Sequence, residues 1–210
     1  MTPRFPVYLF DVDGTLVDSA DDICGSILEA LRPTRVNGLG KADMVQYVGV
    51  ALLQMFQELL PEYTLEQHEE LIRSYRTIYT ARGHRSTRVF PGVTEALRGL
   101  RGRKSTATTK ATSTTRAVLE QFGLAPYFDH VQGTDGFAYK PAPDVILASL
   151  AALGARPEEC LLVGDSPADM EAGRRAGVAI CAVRYGYGDQ ARMARFEPDL
   201  WISDLRELLD

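Results

Sequence analysis

Three short, uninterrupted runs of apolar residues constrain the fold of this 210-residue chain more than any other feature. They are Val7–Phe10, Cys160–Val163 and Val178–Val183, and helical patterns lie between them, the clearest over Pro167–Ala176 with Gly177 as its stop. A run without polar alternation is typical of a strand that is buried on both faces. Strands that alternate with helices predict βαβ units, and therefore an α/β protein with a parallel sheet.

The stretch between residues 18 and 85 breaks this alternation. It contains helical periodicity, with Leu71, Tyr75 and Tyr79 on one face, and no run typical of a buried strand. The strand-and-helix pattern returns near Arg88–Gly92. We therefore predict an all-helical domain, residues 18–85, inserted into an α/β core made of residues 1–17 and 86–210.

Composition restricts the class of protein. Hydrophobic residues make up 45% and charged residues 24%, which is typical of a globular domain, and the net charge of −5 gives no reason to expect nucleic acid or an anionic membrane as partner. No apolar stretch approaches the ~18 residues that a membrane-spanning helix needs. Cys24, Cys160 and Cys181 form no CxxC pair, so we expect reduced core thiols and a cytoplasmic protein.

Residues 105–115 are unusually rich in hydroxyl groups, with eight Ser or Thr among eleven. Threonine favours strands, and this segment falls where the second strand of a βαβ unit is expected. We predict a strand over Lys104–Thr108, followed by a helix that begins near Thr112 or Ser113 and ends at Phe122. Thr108 would then supply a hydroxyl group at the carboxyl end of that strand.

Two acidic pairs follow predicted buried strands. Asp11 and Asp13 come directly after the first apolar run, and Asp165 and Asp169 come after the second. In open parallel sheets, ligands bind outside the carboxyl ends of the strands. Carboxylates gathered there repel one another, and a hard cation such as Mg²⁺ relieves that repulsion. Either pair alone also fits a turn or a helix cap, but together they predict a divalent-metal site.

A lysine and a glycine extend this pattern. Lys140 precedes Pro141, which places it in an extended loop segment rather than in a helix. Gly14 allows a ligand to approach the backbone closely. The acids, one lysine, the Thr108 hydroxyl and Gly14 together suit a phosphate group bound with Mg²⁺.

Four motifs, spread in order over nearly the whole chain, resemble those of the haloacid-dehalogenase superfamily of hydrolases. The first, PheAspValAspGlyThrLeuValAspSer, resembles the family's motif almost letter for letter. The insertion after it and the later TyrGlyTyrGly sequence resemble the phosphoglycolate-phosphatase-like group of this superfamily. The motifs occupy Phe10–Ser19, Ala107–Lys110, Lys140–Asp144 and Gly164–Met170.

The resemblance implies a Rossmann-like parallel-sheet core with an α-helical cap, and it implies catalytic roles. Asp11 is expected to attack phosphorus and form an aspartyl-phosphate. Asp13 is expected to protonate the leaving oxygen and then to take a proton from the hydrolytic water. Thr108 and Lys140 are expected to hold the phosphoryl oxygens, and Lys140 also to offset charge around Asp11.

The resemblance implies ligands as well. Mg²⁺ is expected to be bound by the Asp11 side chain, the Asp13 backbone carbonyl and Asp165, with Asp169 as a direct or indirect ligand. The full set expected to bind phosphate is Gly14, Thr108, Thr109 and Lys140.

The implied activity is that of a cytoplasmic, Mg²⁺-dependent phosphatase. Its substrate is expected to be a small phosphorylated metabolite (a phosphoglycolate-like ester, a sugar phosphate or a nucleoside monophosphate), because a closing cap leaves no room for a macromolecule. Asp13 favours phosphate esters, since the family's dehalogenases and phosphonate hydrolases replace this second acid. No nucleic acid or membrane partner is expected, and a monomer and a homodimer fit equally.

The chain departs from the family pattern in two places. Thr109 stands where the second motif usually has Asn, and Gln46 and Tyr47 stand where the cap often has a basic residue. A cap cation for an acidic substrate is therefore expected from one of three other residues: Lys41, Arg73 or Arg76.

Three alternative functions use the same residues. A sugar phosphomutase of the superfamily would keep its phosphoryl group from water. An inorganic pyrophosphatase would release phosphate itself as the leaving group. A non-catalytic protein on this fold would bind a phosphate ligand without turnover.

Overall fold

The chain divides into two compact units in the computed structural model, which describes residues 4–209. One unit is Ser19–Thr87, and the other contains the described residues up to Asp18 and from Arg88 onward. The borders between the units lie one residue and two residues from the predicted ones.

All of residues 19–87 are described, and they form helices and no strand. The helices are α1 (Ala20–Leu31), α2 (Lys41–Met44), α3 (Leu52–Leu59) and α4 (Leu65–Arg82). Helix α4 begins with a capping box, in which the Thr64 hydroxyl accepts a hydrogen bond from the Gln67 backbone N–H and the Gln67 side chain accepts one from Thr64. Its buried face carries Leu71, Tyr75 and Tyr79, as the spacing predicted.

A parallel sheet lies at the centre of the other unit, the core unit. The strands of this unit are β1 (Val7–Phe10), β2 (Val17–Asp18), β3 (Arg88–Val89), β4 (Arg103–Thr106), β5 (Cys160–Gly164), β6 (Ala179–Val183) and β7 (Leu200–Ile202). Among the described residues, five of them form one sheet in the order β4-β1-β5-β6-β7, with every pair parallel. The predicted α/β class with a Rossmann-like parallel sheet is confirmed.

Helices cover both faces of this sheet, which explains the uninterrupted apolar runs. Tyr8 and Phe10 belong to the cluster on one face, whereas Val7 and Leu9 belong to the cluster on the other. Successive side chains of a strand point to opposite faces, and both faces are covered, so all four side chains are buried. The helices of the core unit are α5 (Val93–Gly99), α6 (Thr112–Gln121), α7 (Asp144–Leu153), α8 (Pro167–Ala176) and α9 (Gln190–Ala194). Residues of α5 and α6 pack on the first face and residues of α7, α8 and α9 on the second.

The strand predicted over Lys104–Thr108 is shifted and shorter in the structure. Strand β4 is Arg103–Thr106, so Thr108 lies in the following loop rather than in the strand. The Ala107 N–H still donates to the Phe10 carbonyl at 2.8 Å, but the Ala107 carbonyl accepts from the Lys140 ammonium group instead of from a neighbouring strand. The hydrogen bonding between β1 and β4 ends there because the Lys140 side chain occupies the next backbone acceptor, the Ala107 carbonyl.

The short elements β7 and the antiparallel pair β2–β3 were not predicted. The pair consists of two residues on each side, Val17–Asp18 and Arg88–Val89, at the two points where the chain enters and leaves the helical unit. Two or three residues carry too little periodicity to be recognised. In the part of the chain that the structure describes, no helix has both the length and the apolar composition needed to cross a bilayer.

Candidate active site

The carboxyl end of β1 supplies two of the predicted site residues. Asp11 follows the last strand residue, and its N–H donates to the Val163 carbonyl of β5 at 2.9 Å, which extends the pairing by one bond. The chain then turns at Gly14, whose φ is +92° and whose α-carbon lies against the carboxylate of Asp165. A Cβ atom at residue 14 would collide with that carboxylate, so both the backbone angle and the space require glycine here.

The carboxyl end of β5 supplies the second acidic pair. Asp165 follows the strand directly, and Ser166 is the N-cap of α8. Asp169 closes the capping box: its Oδ2 accepts from the Ser166 N–H at 3.0 Å and from the Ser166 hydroxyl at 2.5 Å, and its own N–H donates to that hydroxyl. The cap fixes the Asp169 side chain at the sheet edge, with Oδ1 on the side of Lys140.

Lys140 is buried and joins the two pairs. Its ammonium group donates to Asp11 Oδ1 at 2.7 Å, to Asp169 Oδ1 at 2.5 Å and to the Ala107 carbonyl at 2.9 Å. An ammonium group has three N–H donors, so all three are used. The two carboxylates hold the pKa of Lys140 above its usual value although burial opposes this, and the lysine therefore stays charged.

A second lysine lies beside the remaining acid. Lys110 Nζ is 3.1 Å from Asp13 Oδ2, and the side chains of both residues are less than a tenth exposed. Lys110 is the last residue of the AlaThrThrLys motif, yet no role was predicted for it from the sequence. The spacing of the motif fixes only where its backbone lies, and the ion pair depends on tertiary structure.

Asp165 is held by contacts that were not predicted from the sequence. Its Oδ2 accepts from the Tyr187 N–H at 2.8 Å and its Oδ1 from the Thr15 hydroxyl at 3.3 Å. The Tyr187 hydroxyl in turn donates to Asp18 Oδ1 at 2.6 Å. The TyrGlyTyrGly sequence was the available signal, since a glycine-rich loop after β6 must approach this edge of the sheet closely.

Thr108 and Thr109 lie in the loop between β4 and α6. Thr108 is buried and Thr109 half-buried, and the Thr134 hydroxyl donates to the Thr108 carbonyl at 2.9 Å. The Thr108 hydroxyl accepts a long bond, 3.4 Å, from the Lys110 N–H. The loop follows the strand next to β1, which brings these hydroxyl groups to the same edge as Asp11.

The predicted cap cations lie in the helical unit. Lys41 forms an ion pair with Asp21 of the same unit. Arg73 and Arg76 are exposed on α4.

Three carboxylates at this edge have the arrangement and chemistry of a metal site. One oxygen from each of Asp11, Asp165 and Asp169 lies within 4.8 Å of the others, and all three residues are buried. Burial, together with the charge of Asp169, raises the pKa of Asp11 to about 7 against the lowering effect of Lys140. Burial and the charges of Asp11 and Asp169 raise the pKa of Asp165 well above its usual range.

The charge balance supports the same interpretation. When ionised, Asp11, Asp165 and Asp169 carry three negative charges against the single positive charge of Lys140. Grouped carboxylates of this kind are stabilised by a hard divalent cation, for which oxygen atoms are the preferred ligands. The donor set therefore fits a divalent metal of the Mg²⁺ type.

Fold and site together define a class of protein: an α/β enzyme with an acidic site at the carboxyl edge of a parallel sheet. Residues 8–183 match the model of the haloacid dehalogenase-like hydrolase family. The chain belongs to this family, as the four motifs predicted.

Relatives of known name and structure agree with this assignment. The chain is 30% identical over 211 residues to a phosphoglycolate phosphatase of Aquifex aeolicus, covering 97% of this chain and 96% of that protein. It is 32% identical over 206 residues to the pyrophosphatase PpaX of Halalkalibacterium halodurans, covering 96% and 94%. The crystal structure of a predicted phosphatase from Clostridium acetobutylicum superposes with a TM-score of 0.90, at 26% identity, over 99% of this chain and 97% of that one. The chain is accordingly an enzyme, a phosphatase of this family.

Proposed function

We propose that the chain is a Mg²⁺-dependent phosphatase that hydrolyses a small phosphomonoester through an aspartyl-phosphate on Asp11. The observation that carries this proposal is the separation of the two first-motif acids. Asp11 is bonded to the fixed ammonium group of Lys140, whereas Asp13, two residues on, is paired with a different lysine. Two acids with different partners in one site suit two different tasks.

Asp11 is suited to the role of nucleophile. Lys140 holds its Oδ1, and among the described residues no hydrogen bond to its Oδ2 is found. In the first step an Asp11 oxygen forms a bond to phosphorus while the bond from phosphorus to the ester oxygen breaks. Asp13 delivers its proton to that leaving oxygen.

The second step reverses the role of Asp13. It takes a proton from a water molecule, whose oxygen bonds to phosphorus as the bond from phosphorus to Asp11 breaks. Inorganic phosphate leaves and Asp11 is regenerated. Splitting the reaction in this way replaces one difficult displacement by two easier ones.

Mg²⁺ would be held by the side chains of Asp11 and Asp165 and the backbone carbonyl of Asp13, with Asp169 as a direct or indirect ligand. When bound, it supplies positive charge that neutralises the phosphoryl oxygens. Asp169 reaches the site through its Oδ1, which is also bonded to Lys140.

Gly14, Thr108, Thr109 and Lys140 are the proposed phosphate-binding residues. The loop hydroxyl groups of Thr108 and Thr109 supply donors, and Gly14 leaves room beside Asp165. Lys140 already donates to three acceptors, so a bond from it to a phosphoryl oxygen requires the exchange of one of them. Its main contribution is then to orient Asp11 and to offset its charge.

We assign the Ser19–Thr87 unit the role of a cap that excludes water and selects the leaving group. Its insertion between β2 and β3, directly after the first motif, supports this role. A site served by such a cap favours a small phosphorylated metabolite over a macromolecule. The buried, unbridged thiols of Cys24, Cys160 and Cys181 support the cytoplasm as the location.

The substrate classes are phosphoglycolate-like esters, sugar phosphates and nucleoside monophosphates. Pyrophosphate is the second candidate, because the relative that is 32% identical is named a pyrophosphatase and the one that is 30% identical a phosphoglycolate phosphatase. These two sequence identities are too similar to favour one of the two substrates over the other. Both substrates carry a second anionic group on the leaving side.

The test is phosphate release from a panel of substrates, each with Mg²⁺ and with EDTA. The panel contains 2-phosphoglycolate, pyrophosphate, sugar phosphates, nucleoside monophosphates and p-nitrophenyl phosphate. We expect release that needs the metal and that falls at least about a thousandfold in Asp11→Asn, because the nucleophile is lost. Asp43→Asn, a change at an exposed carboxylate of the helical unit, is the matched control and should behave as the parent. Equal release by Asp11→Asn and the parent would contradict the mechanism.

A further inference from the structure

The ion pair between Lys110 and Asp13 is not needed for the metal or for the nucleophile. Its atoms are 3.1 Å apart, and the exposed fractions of the two side chains are 9% and 8%. Holding a lysine in such a position costs desolvation free energy and side-chain entropy. We therefore expect the buried charge of Lys110 to have a function.

The backbone that carries Lys110 is fixed from the other side by residues 133 and 134. The Thr134 N–H donates to the Lys110 carbonyl at 3.0 Å, and the Thr134 hydroxyl donates to the Thr108 carbonyl. Gly133 lies so close that a Cβ atom there would collide with the Lys110 carbonyl oxygen. The backbone of the loop is thus held in place on this side as well.

The two lysines of the site are not equivalent. Lys140 donates to two carboxylates and a carbonyl, which uses its three donors. Among the described residues, the lysines that form ion pairs with aspartates of the site are Lys110, with Asp13, and Lys140, with Asp11 and Asp169. A substrate with a second anionic group needs a further cation, and Lys110 is in the place to supply it.

We infer that Lys110 is a specificity-determining residue that binds a second anionic group, a carboxylate or phosphate, on the leaving side of the substrate. This inference rests on the proposed function, in which Asp13 protonates the leaving oxygen. The substrate class is then a phosphate compound whose leaving group is itself an anion, rather than a neutral alcohol or sugar.

Distances support this placement. A general acid lies within about 3 Å of the oxygen that it protonates, so Lys110 Nζ, at 3.1 Å from Asp13 Oδ2, lies at most about 6 to 8 Å from the leaving oxygen. A carboxylate on the carbon next to that oxygen extends about 3 Å toward it, which leaves a separation that a lysine side chain closes by a change of rotamer.

The test compares two substrates of the same size, 2-phosphoglycolate and the phosphate ester of glycolamide, which replaces the carboxylate by a neutral amide. We expect the parent to prefer the carboxylate in kcat/KM by at least about tenfold, because a charge-assisted bond in a buried site is lost with the amide. In Lys110→Met both substrates should be hydrolysed more slowly, and the ratio of their kcat/KM values should fall to about 1. Lys110→Arg keeps the charge and should restore most of the preference.

Lys104→Met is the matched control. Lys104 is also a buried lysine of the core unit, but its ammonium group donates to the Leu100 and Gly102 carbonyls. Its removal lowers stability and should leave the preference for the carboxylate at the parent value. If Lys110→Met lowers kcat/KM equally for both substrates, so that the preference for the carboxylate survives, the inference is overturned.

Binding gives the same comparison without turnover. Calorimetric titration of Asp11→Asn with 2-phosphoglycolate and with the amide ester should show the preference, and Asp11→Asn combined with Lys110→Met should lack it. No preference in Asp11→Asn overturns the inference. A preference that depends on Lys110, with no phosphate release from any substrate by the parent, overturns the proposed function alone.

Discussion

Gly14 is the residue at which backbone conformation and site chemistry meet. Its φ of +92° is one that residues with a side chain rarely adopt, and the space that a Cβ would need is filled by the Asp165 carboxylate. A substitution there has two separable effects. One is the backbone strain that any residue with a side chain suffers, and the other is displacement of a candidate metal ligand.

Gly14→Ala should therefore reduce phosphatase activity by at least about a hundredfold, because the new methyl group pushes Asp165 away from the other carboxylates. It should also weaken Mg²⁺ binding, measured by the metal concentration that gives half-maximal activity. Gly123→Ala is the matched control: its φ is +67°, and a Cβ would meet no atom within 4 Å. Both variants should lose about 1–2 kcal/mol of stability from strain. Equal activity in the two variants would show that the contact with Asp165 has no functional role.

At the scale of elements, the junction between β5 and α8 does two things at once. The Ser166–Asp169 capping box satisfies the first backbone N–H groups of α8, and the same Asp169 carboxylate reaches Lys140 with its other oxygen. The helix start is thereby part of the candidate active site. Helix α4 has a capping box of the same kind, Thr64 with Gln67, in the helical unit.

Ser166→Ala and Thr64→Ala should separate these two contributions. Each removes an N-cap hydroxyl and should lower the free energy of unfolding by about 1 kcal/mol, measured by urea denaturation. Ser166→Ala should in addition lower kcat by about tenfold or more, because Asp169 Oδ2 loses a 2.5 Å partner and the carboxylate is less firmly oriented. Thr64→Ala should leave kcat at the parent value. Parallel behaviour of the two variants would assign the Ser166 box to helix stability alone.

At the scale of the whole molecule, we expect the site to lower the stability of the protein when no metal is bound. Asp11 and Asp165 are buried near Asp169, and burial raises the pKa of both above their usual range. A carboxyl group with a raised pKa binds its proton more tightly in the folded than in the unfolded state. Its stabilising contribution is complete below the unfolded-state pKa, about 4, and is lost as the pH rises through the folded-state pKa, which for Asp11 is about 7.

We therefore expect the Tm of the protein in EDTA to fall as the pH rises from 5 to 8, and Mg²⁺ to restore most of the loss. Asp165→Asn should raise the free energy of unfolding in EDTA by about 1 kcal/mol or more at pH 8, because one buried charge is removed and the amide oxygen can still accept from the Tyr187 N–H. The same variant should respond little to Mg²⁺ and be inactive. Asp43→Asn, at an exposed carboxylate, should change stability by no more than about 0.5 kcal/mol. An Asp165→Asn protein less stable than the parent in EDTA would contradict this account.

Much of the architecture follows from local sequence. The three apolar runs predicted β1, β5 and β6 nearly to the residue, because a strand covered on both faces needs no polar positions. Helix α8 was predicted with its observed bounds, since Ser166, Pro167 and Gly177 mark its ends. The acids at the ends of β1 and β5 were expected to lie together because parallel strands end at one edge, and the structure places Asp11, Asp165 and Asp169 there.

The tertiary structure decided which groups contact these acids. Lys110 beside Asp13, the Tyr187 N–H on Asp165 and Thr134 behind the Lys110 loop join segments far apart in the chain, and no local pattern encodes such pairs. The end of β4 at Thr106 was likewise set by Lys140, whose ammonium group donates to the Ala107 carbonyl in place of a strand N–H. Periodicity and motif spacing report the path of the backbone and which side is buried. The partner of a buried charge depends on which elements pack together, and so only the folded molecule determines it.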